Sequence, residues 1–328
     1  MKKIVSVLAF GILFVILFNS ANEVFVEKYL NRYYMLSKEL EKIDDIDVQV
    51  YGSCHSYTSF DALYFEDTYK VSAYDMGNPG EIIPTTYLRM FERFKQDKPK
   101  VALVEIWGLN AYETYASTEK ILDYYLRSNI EDIPISIEKM KVINDFQSLD
   151  AIEDSFAVAK YKDRLLDFSL TEIDFNYSFE KANEMYNSDN SLYSYNEMEI
   201  RLANNGFLSN YSTDVSDYDK LQSKVEENEI LEVEADLMKY VDKIIQLCQE
   251  SDVKLIFYRA PYRSTANELR KVNFLETYLA DKNVLFFDLE REIEYDYEKD
   301  FHDYEHLSEM GALKSTQYLG ERIMDVLQ

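Results

Sequence analysis

Two stretches of this chain, KVALVEIWG at 100–108 and NVLFFDLE at 283–290, are apolar almost without interruption. A strand that alternates apolar and polar residues covers one face of a sheet, whereas a strand apolar throughout has to be buried on both. That is the environment of a parallel strand with helices above and below it. Three more short runs are rich in β-branched and aromatic residues: IDVQVYG (46–52), YKVSAYDM (69–76) and VKLIFYRAPY (253–262). Segments of helical spacing lie between the runs: PTTYLRMFERFKQ, EILEVEADLMKYVDKIIQLCQES, TANELRKVNFLETYLA and MGALKSTQYLGERIMDVL. Strand alternating with helix predicts an α/β fold, a three-layer α/β/α arrangement around a mostly parallel five-stranded sheet.

No comparable strand recurs between Asn110 and about Asn228. The stretch begins with helical patterns (STEKILDYYLRS, SIEKMKVINDF, DSFAVAKYKDRLLDF) and becomes polar and turn-rich around SLYSYNEMEIRLANNGFLSNYSTD. It reads as a helical insertion, about 111–228, between strands three and four. Insertions of this length commonly form lids or substrate surfaces, so it is expected over the carboxyl end of the sheet.

At the amino terminus, Lys2 and Lys3 precede the fifteen uncharged residues IVSVLAFGILFVILF. A membrane span normally needs roughly 17–25 residues, which makes the run short. A cleavable signal needs small residues at −3 and −1; only Ala21 suits −1, and Asn19 then falls at −3. The run therefore reads as an uncleaved signal anchor over 1–21, with the lysines inside and the rest of the chain outside the cytoplasm. Cleavage would instead give a secreted protein. A stalk helix follows (22–45, containing EVFVEKYLNRYYMLSKELEKI), and the α/β domain occupies 46–328.

The formal charge is −26, and the acidic residues are spread along the whole sequence. Such a surface repels phosphate backbones and argues against a nucleic-acid partner. The two cysteines, Cys54 and Cys248, could pair in an oxidising compartment. Cys248 sits in a helical segment, ADLMKYVDKIIQLCQES, where a buried packing role is expected instead.

In an open α/β sheet, reactive groups gather where strands end and loops begin. Strand one ends in Gly52-Ser53-Cys54-His55, strand two in Asp75-Met76-Gly77-Asn78-Pro79-Gly80 and strand three in Trp107-Gly108-Leu109-Asn110. A fourth loop, Phe301-His302-Asp303-Tyr304-Glu305-His306, runs directly into the last helix. Gly-x-nucleophile, Gly-x-Asn and Asp-x-x-His, in that order, resemble the SGNH/GDSL-type hydrolases. The tail DYEHLSEMGALKSTQYL resembles their membrane-anchored, export-side members, among them the D-alanine transfer protein of teichoic-acid operons and the SGNH partners of membrane-bound O-acyltransferases. GSCHSYTSFD is similar to the Gly-Ser-Ser-His or Gly-Ser-Ser-Glu start of that group. The likeness spans Gly52 to Leu319 in three short blocks, and the insertion is unmatched.

The resemblance implies a flavodoxin-like sheet and a nucleophile at the third residue of block one. That position is Cys54, where the family normally has serine. A thiolate is itself a strong nucleophile and needs only a base to form it. The matching base is His306, oriented by Asp303. The family's oxyanion donors correspond to the N–H groups of Cys54 and Gly80, with Gly77 as a competing choice, and to the side chain of Asn110. The implied activity is transfer or removal of an O-acyl group on an envelope polysaccharide through an acyl-enzyme. The partners are that polysaccharide or an acyl donor, with a membrane-bound O-acyltransferase as a further partner. No cofactor and no metal are required.

Other readings use the same residues. Cys54 could be a buried thiol in an inactive homologue that serves as a non-catalytic adaptor for glycan or a membrane acyltransferase. Ser53 could be the nucleophile by a one-residue shift, although on a strand end it would face the other side of the sheet. His55 could line the pocket or pack. Trp107 could stack on a sugar or be buried, and Arg259 could contact an anionic substrate or form an ion pair. Cys54, His55, His302, Asp303 and His306 are also metal-ligand types, which admits a zinc-dependent hydrolase. Against that, the segment between His302 and His306 lacks helical character.

Overall fold

The computed structural model describes residues 2–26, 32–109, 129–146, 155–160, 162, 194–209 and 223–328. In chain order its elements are α1 (Lys2–Phe25), α2 (Arg32–Leu40), β1 (Val48–Tyr51), α3 (Cys54–Tyr57), α4 (Ala62–Tyr69), β2 (Ala73–Asp75), α5 (Ile83–Arg93) and β3 (Val101–Glu105). A short 3-10 turn over Trp107–Leu109 follows β3. Then come α6 (Ile137–Phe146), α7 (Ala157–Lys160), α8 (Ser194–Ala203), α9 (Ala235–Ser251), β4 (Lys254–Arg259), α10 (Ala266–Asp281), β5 (Leu285–Asp288), α11 (Leu289–Glu292) and α12 (Glu309–Leu327). They divide into two compact units, one of residues 1–42 with 123–195, the other of 43–122 with 196–328.

The second unit is the α/β body. Its five strands are all parallel, in the order β2-β1-β3-β4-β5. The three central strands are buried on both sides because helices cover both, and the one polar residue inside β1, Gln49, is bonded to Asp97 and Tyr51. Val48, Val50, Val101, Leu103, Ile256 and Tyr258 join Phe60 and Phe65 beside α4 and Leu319 and Ile323 of α12 in one core cluster. Alternation along the strands turns Ala102, Val104 and Phe257 to the opposite face, where α5 and α9 pack on each other. The result is the three-layer α/β/α fold that the strand–helix alternation predicts.

Each strand falls inside the run that predicts it. The run YKVSAYDM yields the shortest strand, because Tyr69 completes α4 and Lys70, at φ 59°, ends that helix in the left-handed conformation. Residues 194–203, expected to be turn-rich, are helical. Among the other insertion helices, STEKILDYYLRS lies outside the described residues, SIEKMKVINDF forms α6, and of the third only α7 is described.

The other unit joins α1 and α2 to residues from the insertion. The side chain of Asn22, only 6% exposed, donates to the Glu131 carbonyl at 3.2 Å and accepts from the Val158 N–H at 3.2 Å. Asn19 accepts from the Ile135 N–H at 2.8 Å, and Phe18 meets Phe156 edge-to-face. Most of the insertion thus forms a compact unit with the first forty residues. This differs from the expected division into separate anchor, stalk and α/β domain. Residues 196–209 belong to the sheet-bearing unit, and Asn205 bonds the free edge of β2 at its carboxyl end through Asp75 N–H···O=C at 2.8 Å. α1 is apolar enough to cross a membrane or to be a signal sequence.

Candidate active site

Four of the five strands end in a charged residue: Asp75, Glu105, Arg259 and Asp288. All four are at most 5% exposed. Burying charge is costly unless partners surround it, so the carboxyl end of this sheet is a built polar region. β1 ends there in Tyr51-Gly52-Ser53. Gly52 adopts φ +142°, and a Cβ on it would stand 2.7 Å from the Glu105 Cβ, so only glycine lets the chain pass so close to β3. The turn opens α3 at Cys54, and Ser53 caps it by accepting from the His55 N–H at 3.2 Å.

This turn and the loop before α12 bring Cys54, His55 and His306 together. One ligand-type atom of each lies within 4.8 Å of the other two. Cys54 remains partly exposed, and its Sγ is 3.8 Å from His55 Nδ1. The 301–307 loop closes on itself through a bridge between Phe301 and Leu307, and His302 N–H donates to the His306 carbonyl at 2.9 Å. Inside it the Asp303 carboxylate accepts from the N–H groups of Glu305 and His306, both at 2.7 Å. It also faces His306 Nδ1 at 3.1 Å from either oxygen. Asp303 therefore fixes both the backbone and the ring of His306, leaving Nε2 for other work.

The electrostatics follow from this packing. Burial alone would raise the Cys54 thiol, but charge and hydrogen bonding from His55 and His306 override it and hold the thiol well below its usual range. For His306 burial disfavours the charged ring, yet the Cys54 sulfur and Asp303 hold its pKa well above the usual histidine value. Asp303 is opposed by burial but lowered to about 2 by His306 and the two backbone N–H groups. The favoured state is a thiolate, an imidazolium and a carboxylate in a row.

His55 is 2% exposed, and its ring lies between Trp107 and His306 at centroid distances of 5.0 and 5.2 Å, with Tyr262 edge-on at 4.9 Å. Its Nδ1 is 3.0 Å from Ser53 Oγ, which in turn donates to Glu105 at 3.0 Å. Its Nε2 has no hydrogen bond, and the nearest carboxylate is Glu305 at 3.6 Å. Burial disfavours its charge, but Cys54, Glu305 and Glu105 lift its pKa to about 9. Ser53 is fully buried and occupied by these contacts. Trp107, 7% exposed, is a wall for His55 rather than an open platform.

Of the two readings given for Arg259, the structure shows the ion pair. Arg259 donates to Asp288 at 2.7 Å, to Glu290 at 2.5 Å and to Ser264 at 2.8 Å, and is 1% exposed. It is a structural cation rather than a substrate contact. Asn110 lies outside the described residues. Of the two candidate glycines, the Gly77 N–H is already held by Asp75 at 2.8 Å, whereas Gly80 turns the same loop at φ +64°. Both cysteines are free, with Cys248 buried in α9.

Sequence reasoning missed Glu105, Tyr262 and Arg201. Glu105 has a signal in hindsight: it is the only charge inside the apolar run VALVEIW. Its carboxylate also accepts from the Trp107 N–H at 2.8 Å, so one side chain supports both Ser53 and Trp107. Arg201 has none. Buried at 1% exposure, it donates to the carbonyls of Gly77 and Gly206 and lies over the Tyr57 ring. That position fastens α3 to the loop after β2.

No protein-family model matches the chain, and no curated protein sequence matches it.

Proposed function

We propose that this chain is an SGNH-type acyl-transfer enzyme of the cell envelope that carries the acyl group on Cys54. The observation that carries the reading is the convergence of Cys54, His306 and Asp303 at the carboxyl end of a parallel sheet, from opposite ends of the α/β body. A buried thiol with no function needs neither a second-loop histidine beside it nor a carboxylate fixed behind that histidine.

The steps follow from the charges. The Cys54 thiolate attacks the acyl carbonyl, and the developing oxyanion is taken by backbone donors, for which the N–H groups of Cys54 and Gly80 are the candidates. The leaving alkoxide takes the proton held by His306, and a thioester remains. His306, now neutral and held by Asp303, removes the proton of an incoming sugar hydroxyl or water. That oxygen attacks the thioester and the thiolate leaves. We read the acceptor as a polysaccharide hydroxyl, on the resemblance to anchored transfer proteins, with a membrane-bound O-acyltransferase as the source of acyl groups. In this reading α1 is an uncleaved anchor and the α/β body lies outside the cytoplasm.

The test is mass spectrometry of the full-length chain in detergent after exposure to an activated acyl ester. One acyl group should appear on Cys54 and none on the Cys54→Ala variant. Failure of wild-type chain to acylate, together with resistance of Cys54 to alkylation, would refute the reading.

A further inference from the structure

Acyl transfer uses Cys54, His306 and Asp303 but does not account for a second imidazole against the same sulfur. One donor atom from each of Cys54, His55 and His306 lies within 4.8 Å of the others, and Sγ is 3.8 Å from His55 Nδ1. Such separations suit three corners of a tetrahedron around an ion whose bonds are about 2.0–2.3 Å. His306 is braced from behind by Asp303, 3.1 Å from its Nδ1, and His55 is held at its sulfur-facing Nδ1 by Ser53 Oγ at 3.0 Å, which is tied to the Glu105 carboxylate. Metal-binding histidines are oriented by contacts of this kind.

A further observation is independent of the spacing. His55 Nε2 is buried without a hydrogen bond, with the Glu305 carboxylate 3.6 Å away. The surroundings also favour a cation: Glu105, Asp303 and Glu305 flank the three donors. One thiolate with two imidazoles is a donor set that favours Zn2+ over the hard, oxygen-seeking Mg2+ and Ca2+.

We propose that Cys54, His55 and His306 form a zinc-binding site, and that Zn2+ held there reversibly silences the nucleophile. One Zn–S and two Zn–N bonds form, the protons carried by the donors go to solvent, and no electron is transferred. A thiolate bonded to zinc shares its charge with the metal and attacks an acyl carbonyl more slowly, and a His306 ring bonded to zinc cannot shuttle protons. The binding half of the proposal stands on the three-residue geometry. The silencing half rests on the acyl-transfer reading.

The experiment titrates Co2+, a spectroscopic substitute for Zn2+, into the full-length chain in detergent after chelator treatment. One equivalent should produce a thiolate-to-cobalt charge-transfer band that Zn2+ abolishes by displacement. The band should be missing in Cys54→Ala. His55→Gln and His306→Gln should each weaken binding by more than about tenfold, whereas His302→Gln should not. No band in the wild-type chain, or wild-type affinity in either histidine variant, overturns the site. Wild-type protein alone supplies a second reading that needs no variant to fold: Zn2+ should protect Cys54 from iodoacetamide, and chelator should restore labelling.

The acyl-ester assay on the same preparations separates the two readings. Acylation that occurs in chelated protein and stops with Zn2+ supports both halves. A cobalt band without acylation in chelated protein keeps the site but removes the silencing and the acyl-transfer reading. Acylation without a cobalt band removes the site alone. Acylation that increases with Zn2+ overturns silencing.

Discussion

Asp303 reaches the chemistry only through His306, and that makes it the sharpest residue to change. Asparagine keeps the size and one acceptor but loses the charge that stabilises the imidazolium. Asp303→Asn should slow single-turnover acylation by roughly 10²–10⁴, with His306→Ala falling in the same range or below it. An unchanged rate would show that His306 is not the base. Glu105 has a different duty, because it is buried and bonds Ser53 and the Trp107 N–H. Glu105→Ala strands both donors and should cost about 1–3 kcal/mol, measurable by urea denaturation. Cys54, Asp303 and His306 were legible because their signals are local: a thiol just past a strand, and two residues three apart ahead of a helix. Glu105 and Tyr262 were not, because their roles depend on neighbouring strand ends: Glu105 pairs in register with Tyr258, and the loop after β4 brings Tyr262 to His55. Arg259 stayed open between ion pair and substrate contact for the same reason, since its partners come from the end of β5, in register beside it, and from α11.

Among the elements, the loop after β2 depends on an acid that the sheet buries. Asp75 is fully buried and accepts from Ser56 Oγ and the Gly77 N–H on one oxygen, while its other oxygen has no hydrogen bond. Burial raises its pKa from 3.8 to about 7, moderated by Arg201, the Gly77 N–H and Ser56 and reinforced by Glu81, itself raised to about 7 by burial. An acid raised in the folded state is held as the neutral form. Its stabilising contribution is complete below about pH 4 and is lost as the pH climbs through about 7. Melting temperature should therefore fall between about pH 4 and about pH 7, and Asp75→Asn, which keeps the accepting oxygen, should reduce that fall. Identical pH profiles for variant and wild type would refute this account. β3 was legible because burial on both faces leaves an apolar run, whereas β5 carries the same pattern as an edge strand with Leu285 43% exposed. α8 was not, since its residues are mostly polar and Arg201 in it is tied down by contacts with Gly77 and Gly206 that no local pattern encodes.

For the whole molecule, the α/β body follows from periodicity, but the membership of the other unit does not. Its links include the side chains of Asn19 and Asn22, which reach backbone groups of Glu131, Ile135 and Val158. In sequence Asn19 counts only as a residue ill suited to −3 of a cleavage site, and nothing local shows what either asparagine bonds. In the folded unit Asn22 is 6% exposed and satisfies one donor and one acceptor, and Phe25 and Val26 form a cluster with Tyr34 and Ala157. Cleavage after Ala21 would remove the Phe18 contact with Phe156 and the Asn19 acceptor for the Ile135 N–H. It would also put a charged amino terminus on Asn22, where it is least tolerated. The chain should therefore keep α1 when it is expressed in a host with an active signal peptidase. Intact-mass analysis of membrane fractions should show the uncleaved sequence, and it should resist alkaline extraction. An amino terminus at Asn22 in a soluble, folded product would end the anchor assignment and require a different packing for this unit. Asn22→Ala leaves the Val158 N–H and the Glu131 carbonyl without that partner and should cost about 1–3 kcal/mol in this unit. Limited proteolysis should detect the loss as faster cutting within residues 129–160, with the sheet-bearing unit unaffected.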